Sequence, residues 1–235
     1  MCIRDRYMFG FHEPYLFSSD RTFTLRAGSQ KFYRGAYEES RVKTEPEARQ
    51  YLDSDHRLSL ALAWRLDDIS LGGISASAPA TIATAPDSIL LSYPRLSIRY
   101  AELENNIYGG PKGLLAELKL DASGPATGSD IEFFRGSASA DYYRPLFDRY
   151  ADLRHLLHIG IEAGWIGAGS DEVPFYENYF LGGPHSFRGF EYREVGPHEQ
   201  GEPLGGGALL RGTIEYLSLI HISEPTRRYA ISYAV

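Results

Sequence analysis

The sequence has 235 residues, 24 Lys+Arg against 31 Asp+Glu for a formal net charge of −7, and 13% aromatic residues with 17 Tyr and 12 Phe. This acidic balance lacks the clustered basic face that a nucleic-acid partner requires, and the one cysteine, Cys2, rules out an internal disulfide and a thiolate metal site. No stretch approaches the roughly 18 to 20 consecutive apolar residues of a membrane helix, which leaves strands as the route across a bilayer.

The two ends stand apart from the rest. Met1-Cys2-Ile3-Arg4-Asp5-Arg6 can be encoded by ATG TGT ATA AGA GAC AG, and the reverse complement of that stretch reads, in another frame, Leu-Ser-Leu-Ile-His-Ile, the residues from Leu217 to Ile222. Two unrelated termini have no reason to be inverted repeats as nucleic acid, and the stretch resembles a transposon-end adapter. Ser223-Glu224-Pro225-Thr226-Arg227 and the final Ile231-Ser232-Tyr233-Ala234-Val235 continue in the same manner. Residues 1–6 and 217–235 are therefore expected to be adapter-derived, and 7–216 to be native sequence lacking its true start and end. Without Arg4, Arg6, Arg227, Arg228, Asp5 and Glu224, the 24 and 31 become 20 and 29, a net charge of −9.

Within 7–216 the main signal is alternation with period two, which places successive side chains on opposite faces of a strand. His12-Glu13-Pro14-Tyr15-Leu16-Phe17 has the style of an early strand, and 22–28 alternates weakly. The polar stretch 35–55 reads as a long loop, with a short surface helix as the alternative. In 57–66, Leu58, Leu60, Leu62, Trp64 and Leu66 oppose Arg57, Ser59, Ala61, Ala63 and Arg65. A second long loop is expected over 73–87, a weak strand over 96–100 and a Gly/Pro/Asn turn over 106–112. In 113–121, Leu114, Ala116, Leu118 and Leu120 oppose Leu115, Glu117, Lys119 and Asp121. After a turn at 122–128, Phe134, Gly136, Ala138, Ala140 and Tyr142 oppose Arg135, Ser137, Ser139 and Asp141. From Leu153, Leu157, Ile159, Ile161, Ala163 and Trp165 oppose Arg154, His158, Glu162 and Gly164. In 207–216, Ala208, Leu210, Gly212, Ile214 and Tyr216 oppose Leu209, Arg211, Thr213 and Glu215.

A soluble sandwich with its apolar face inward and a membrane barrel with its apolar face outward share this alternation. Three features favour the barrel. Charges of both signs recur in mid-strand on the polar face, as a wet lumen allows. Trp64, Tyr142 and Trp165 fall near apparent strand ends, as in an interfacial girdle. Several strands reach the roughly 9 to 11 residues that a tilted spanning strand needs.

Between the last two strands runs Pro174-Phe175-Tyr176-Glu177-Asn178-Tyr179-Phe180-Leu181-Gly182-Gly183-Pro184-His185-Ser186-Phe187-Arg188-Gly189-Phe190, followed by Val195-Gly196-Pro197 and Pro203-Leu204-Gly205-Gly206. This ordered series, over about 174–216, resembles the BamA-type assembly-factor family of bacterial surface antigens. Its one departure is Phe187, where the family has a smaller β-branched residue before the arginine. The resemblance implies an all-β antiparallel transmembrane β-barrel in the bacterial outer membrane, here a partial barrel lacking its first and last strands. It implies a lumen loop with Gly182, Gly183, Phe187, Arg188, Gly189 and Phe190, and it implies that Arg188 meets Glu215 on the inner wall. Arginine suits that contact because its planar fork pairs with a carboxylate and does not lose its charge. Alternation independently turns Glu215 inward. The three glycines suit positive backbone angles, and Phe190 is expected to anchor the loop by packing.

The function implied is assembly: folding and inserting other outer-membrane proteins. The partners implied are the outer-membrane bilayer, unfolded barrel clients and accessory lipoproteins engaged through upstream domains. Two rivals remain open, a two-partner-secretion or related translocation pore and a barrel fused to a lipolytic enzyme. No catalytic, cofactor or metal residues are assigned. His155 and His158 fall on opposite strand faces, and Gly73-Ile74-Ser75-Ala76-Ser77 lacks the closing glycine of a nucleophile elbow.

Overall fold

A computed structural model describes residues 2–106, 110–146, 153–169, 173–184 and 186–220. The alternating segments become long strands: β1 (Cys2–Glu13), β2 (Arg21–Tyr33), β3 (Glu38–Tyr51), β4 (Leu58–Gly72), β5 (Ser88–Asn106), β6 (Gly110–Ser123), β7 (Phe133–Leu146) and β8 (Leu153–Ala168). A short ribbon of β9 (His198–Glu199) and β10 (Glu202–Pro203) precedes β11 (Ala208–Ile220). Each long strand pairs antiparallel with the next, giving one nine-stranded sheet in the order β1-β2-β3-β4-β5-β6-β7-β8-β11. β1 and β11 are its edges, so the sheet is open, as an incomplete barrel requires. The β1–β2 register slips between Ile3 and Asp5, while β11 continues its pairing with β8 to Ile220.

The distribution of side chains is inverted relative to a soluble protein. Along β4, Leu60, Leu62, Trp64 and Leu66 are exposed, whereas Ser59, Ala61, Ala63 and Asp67 are buried. The same outward apolar face continues through Leu96 and Ile98, Ile159 and Ile161, and Leu210 and Ile214. The buried face carries Glu39, Arg41 and Asp121. A soluble sandwich would bury those leucines, while a barrel turns them to lipid and keeps its charges in the lumen.

Three sequence expectations change. Residues 35–55 form no long loop: β3 fills most of the stretch, with Glu39, Arg41, Glu45, Glu47 and Arg49 facing in and Val42, Thr44, Pro46, Ala48 and Gln50 facing out. Its charges belong to a wet inner wall, so its overall polarity concealed its period. Of the residues from His12 to Phe17, only His12 and Glu13 are in a strand. Trp64 lies in the middle of β4, not at its end, and donates its indole N–H to Ser92 Oγ at 3.1 Å. The turn expected over 106–112 includes 107–109, which lie outside the described residues.

The connections 14–20 and 52–57 are at one end of the sheet. The connections 73–87 and 124–132 and the described part of the one after β8, 173–184 and 186–207, are at the other, where Ile82, Ile131, Phe175 and Tyr176 from these connections pack over the barrel mouth. There Ile82 of a short helix, α1 (Ala80–Ala83), is fully buried with Ile69, Leu91, Tyr93, Phe133, Phe175 and Tyr176. This end of the lumen is therefore closed by an apolar plug built from loops and strand ends. Beneath it lies the charged wall.

Candidate functional site

The connection after β8 doubles back into the barrel in two steps. First, a single 3-10 turn, Phe175–Glu177, sinks three consecutive residues to 4%, 4% and 7% exposure. Phe175 meets the Tyr37 ring edge-on at 5.3 Å. Tyr179 then sets the phenol end of its ring against Gly164 of β8, where a Cβ would come to 2.5 Å from ring carbon Cζ, and its hydroxyl donates to the Gly136 carbonyl at 3.3 Å. Reciprocal 2.9 Å backbone bonds join Tyr179 to Gly206, so the two ends of the loop close on each other.

Glu177 is the polar centre of this first step. Arg135 from β7 donates to its Oε2 at 2.8 Å and to its backbone carbonyl at 3.0 Å. Arg41 from β3 stands 2.9 Å from Oε1, as an ion pair without hydrogen-bond alignment. Arg41 is itself held by Glu39 at 3.1 Å, with Asp67 at 3.8 Å. Further along the wall, Arg65 reaches Asp67 at 2.8 Å and Arg95 forks onto Asp121 with two 2.7 Å bonds. Burial pushes the Glu177 carboxyl up, but Arg41 and Arg135 outweigh it and hold the group at about 2. Glu177 is thus a buried anion fixed by two cations from strands that are not adjacent.

The second step is the loop tip. Gly182, Gly183 and Gly189 take φ of 121°, 93° and 92°, as expected, and a Cβ on Gly182 would collide with the Glu191 carbonyl. The Ser186 hydroxyl donates to the Gly182 carbonyl at 2.7 Å and accepts its N–H at 2.9 Å, pinching the turn. Arg211 from β11 donates to the Ser186 carbonyl at 3.0 Å and pairs with Glu162 at 2.7 Å. Arg188 Nη1 lies 2.9 Å from Glu215 Oε1, with Arg188 74% exposed. Glu215 Oε2 faces His158 Nδ1 at 3.2 Å, and His158 Nε2 faces Asp141 Oδ1 at 2.8 Å. His158 also stacks on Tyr143 with ring centres 4.5 Å apart. Tip and wall enclose a cleft of about 420 Å³.

Phe190 does not anchor the tip by burial. It is 46% exposed and rests against Phe187, itself 40% exposed, with ring centres 5.3 Å apart. His185 lies outside the described residues. His155 and His158 do face opposite ways: His155 stacks with Tyr216 at 5.3 Å and accepts or donates a 2.6 Å bond with its hydroxyl. Among the described residues, no group of three or more His, Cys, Asp or Glu is placed to hold a metal.

Sequence reasoning missed Glu177, Arg41, Arg135, His158 and Asp141 as members of the site. Glu177 stood within the quoted motif. Its partners could be found only by knowing which strands face one another across the lumen.

Comparison with known proteins agrees with this geometry. The model of the Omp85 superfamily domain matches residues 3–230. The outer membrane protein assembly factor BamA of Nitratidesulfovibrio vulgaris (strain Hildenborough) is 27% identical over 109 residues, covering 45% of this chain and 13% of that protein. The crystal structure of BamA from Haemophilus ducreyi lacking POTRA domains 1–3 superposes with a TM-score of 0.71 at 19% identity, over 90% of this chain and 44% of that one. The chain thus spans less than half the length of either. With its open antiparallel sheet, lipid-type outer face and inturned loop, the chain belongs to the Omp85 superfamily of outer-membrane β-barrels.

Proposed function

We propose that this barrel is part of an assembly factor that folds and inserts other outer-membrane proteins, with unfolded barrel proteins as clients. The supporting observation is the two-point docking of the loop, Glu177 on Arg41 and Arg135 and Arg188 on Glu215, in a chain whose 27%-identical relative is an assembly factor. A docked loop holds β3, β7 and β11 in fixed relation, which a templating wall needs and which loose strands cannot supply. In this reading Gly182, Gly183, Phe187, Arg188, Gly189 and Phe190 form the lumen motif and Glu215 is the wall partner of Arg188. Accessory lipoproteins bind through domains upstream of the barrel.

The test is client insertion by the full-length protein in phospholipid vesicles. Arg188→Glu and Glu215→Arg each reduce insertion of an unfolded barrel client about tenfold or more, and the double exchange recovers part of it. Insertion that is unchanged in both single variants, with passage of an extended secreted chain in its place, overturns the assembly reading in favour of a secretion pore. The parental gene tests the terminal segments: its frame departs from this sequence before Tyr7 and after Tyr216 if 1–6 and 217–235 derive from an adapter.

A further inference from the structure

We infer that the outward-facing groove between the 14–20 connection and strands β2 to β5 is a resident site for one glycerophospholipid, with Arg21 on its phosphate and leucines beneath an acyl chain. The site follows from register. Arg21 pairs with Gln50, Gln50 with Leu60, Ala48 with Leu62, and Leu62 with Leu96, which brings all of these to the outer face of four neighbouring strands. Leu16 folds over from the connection, its N–H bonded to the Arg21 carbonyl at 2.9 Å, and completes a groove of roughly 390 Å³.

Three observations choose the occupant. The floor is aliphatic: Leu60, Leu62 and Leu96 are 38%, 59% and 37% exposed on the face turned to lipid, and an acyl chain matches that chemistry. At the mouth, Arg21 opens β2, and its Nε donates to Gln50 Oε1 at 2.6 Å, which fixes the plane of the guanidinium. With Nε engaged by this neutral amide, the two Nη groups present a cation of set orientation, the geometry that favours forked phosphate contacts. The connection itself displays Tyr15 at 69% and Phe17 at 91% exposure, with Phe17 held at φ 63°, a costly backbone conformation for an aromatic residue. Exposed aromatic side chains beside an arginine are the composition of a bilayer interface, and short connections lie at the periplasmic end of bacterial barrels. A diacyl lipid with a phosphate headgroup meets all three conditions. A neutral apolar ligand leaves Arg21 unused.

Native mass spectrometry of the full chain, released from detergent after addition of palmitoyl-oleoyl phosphatidylglycerol or of diacylglycerol with the same chains, tests the site. The wild type retains one phospholipid, with diacylglycerol at least about tenfold weaker. Arg21→Gln weakens phospholipid about tenfold without changing diacylglycerol, Arg21→Lys restores part of the difference, and Leu62→Gln weakens both. Arg21 is exposed at the rim of the outer face and packs in no buried core, so barrel folding, read as the heat-dependent gel shift, stays intact. Equal retention of the two lipids by the wild type, equal phospholipid retention by Arg21→Gln, or a graded series of bound lipids without a step at one overturns the proposal in favour of an unspecific lipid annulus.

Discussion

Glu177 and Arg135 are 42 residues apart in sequence and 2.8 Å apart in space, and their contact fastens a loop to the inside of the wall that precedes it. Both are nearly sealed from water, with side-chain exposures of 4% and 14%. Removing one member of such a pair leaves the other charge buried without compensation. Glu177→Ala, which strands Arg135 and leaves Arg41 to Glu39 and Asp67, is therefore expected to destabilise the folded barrel by about 3 to 5 kcal/mol. Thermal unfolding of the full chain in detergent measures this, and a loss below about 1 kcal/mol would show that water enters the site and screens the arginines.

The same carboxyl gives loop docking a defined acid limit. Its ordinary value is 4.5 and its docked value about 2, so the docked form holds the proton more weakly than the released form. Docking stability from Glu177 is complete above the released value and is lost as pH falls from about 4.5 to about 2, by roughly 3 kcal/mol in all. The protection of the 175–179 backbone amides against hydrogen exchange, relative to the intrinsic rate at each pH, is expected to fall on the acid side of that window. In Glu177→Gln the dependence flattens, because no proton is then taken up.

Arg188 and Glu215 form a different kind of pair. Arg188 is 74% exposed, so its 2.9 Å contact is worth no more than about 1 kcal/mol to stability. A double-mutant cycle on Arg188→Ala and Glu215→Ala is expected to give a coupling of that size in thermal unfolding. His158 changes the picture for the glutamate alone, since it holds the other carboxylate oxygen at 3.2 Å and is itself braced by Asp141. His158→Gln is thus expected to reduce the Arg188–Glu215 coupling while leaving Glu177 docking unaltered. An unchanged coupling would mean that Glu215 is oriented by its own strand without help from the imidazole.

How much of this was legible in the sequence depended on whether a face or a partner was in question. The alternation of β4, β6, β7, β8 and β11 was readable because one face is apolar, and it put Glu215 on the same face as Arg211 and Thr213. β3 was missed because its outer face is small and mixed, as in Thr44, Pro46 and Ala48, while its inner face is charged. Composition there resembles a loop, and only the period distinguishes them. The positive angles of Gly182, Gly183 and Gly189 follow from local chemistry. The Glu177 site joins β3, β7 and a loop that no local rule brings together, since it is set by how strongly the sheet curls. Phe190 shows the opposite failure: an aromatic residue in a motif suggests burial, but at this tip it finds only Phe187 to rest on.

Gly164 gives the sharpest steric test of the loop's path. On an inner wall, a glycine weakens its strand unless something must approach it closely, and here the Tyr179 ring occupies the space of the missing side chain. A Cβ at Gly164 would lie 2.5 Å from the ring carbon Cζ and 2.7 Å from the hydroxyl oxygen. Gly164→Ala must therefore lift the ring, break its bond to the Gly136 carbonyl and loosen the Tyr179–Gly206 closure, at a cost of about 1 to 3 kcal/mol. If contact with Tyr179 is the cause, the double variant Gly164→Ala/Tyr179→Leu recovers most of that loss, because the shorter side chain leaves room for the methyl group. If the cost arises within β8 itself, Tyr179→Leu adds its own penalty and the two losses sum. Thermal unfolding of the four chains separates these outcomes, and recovery in the double variant is the result expected from the packing of this loop.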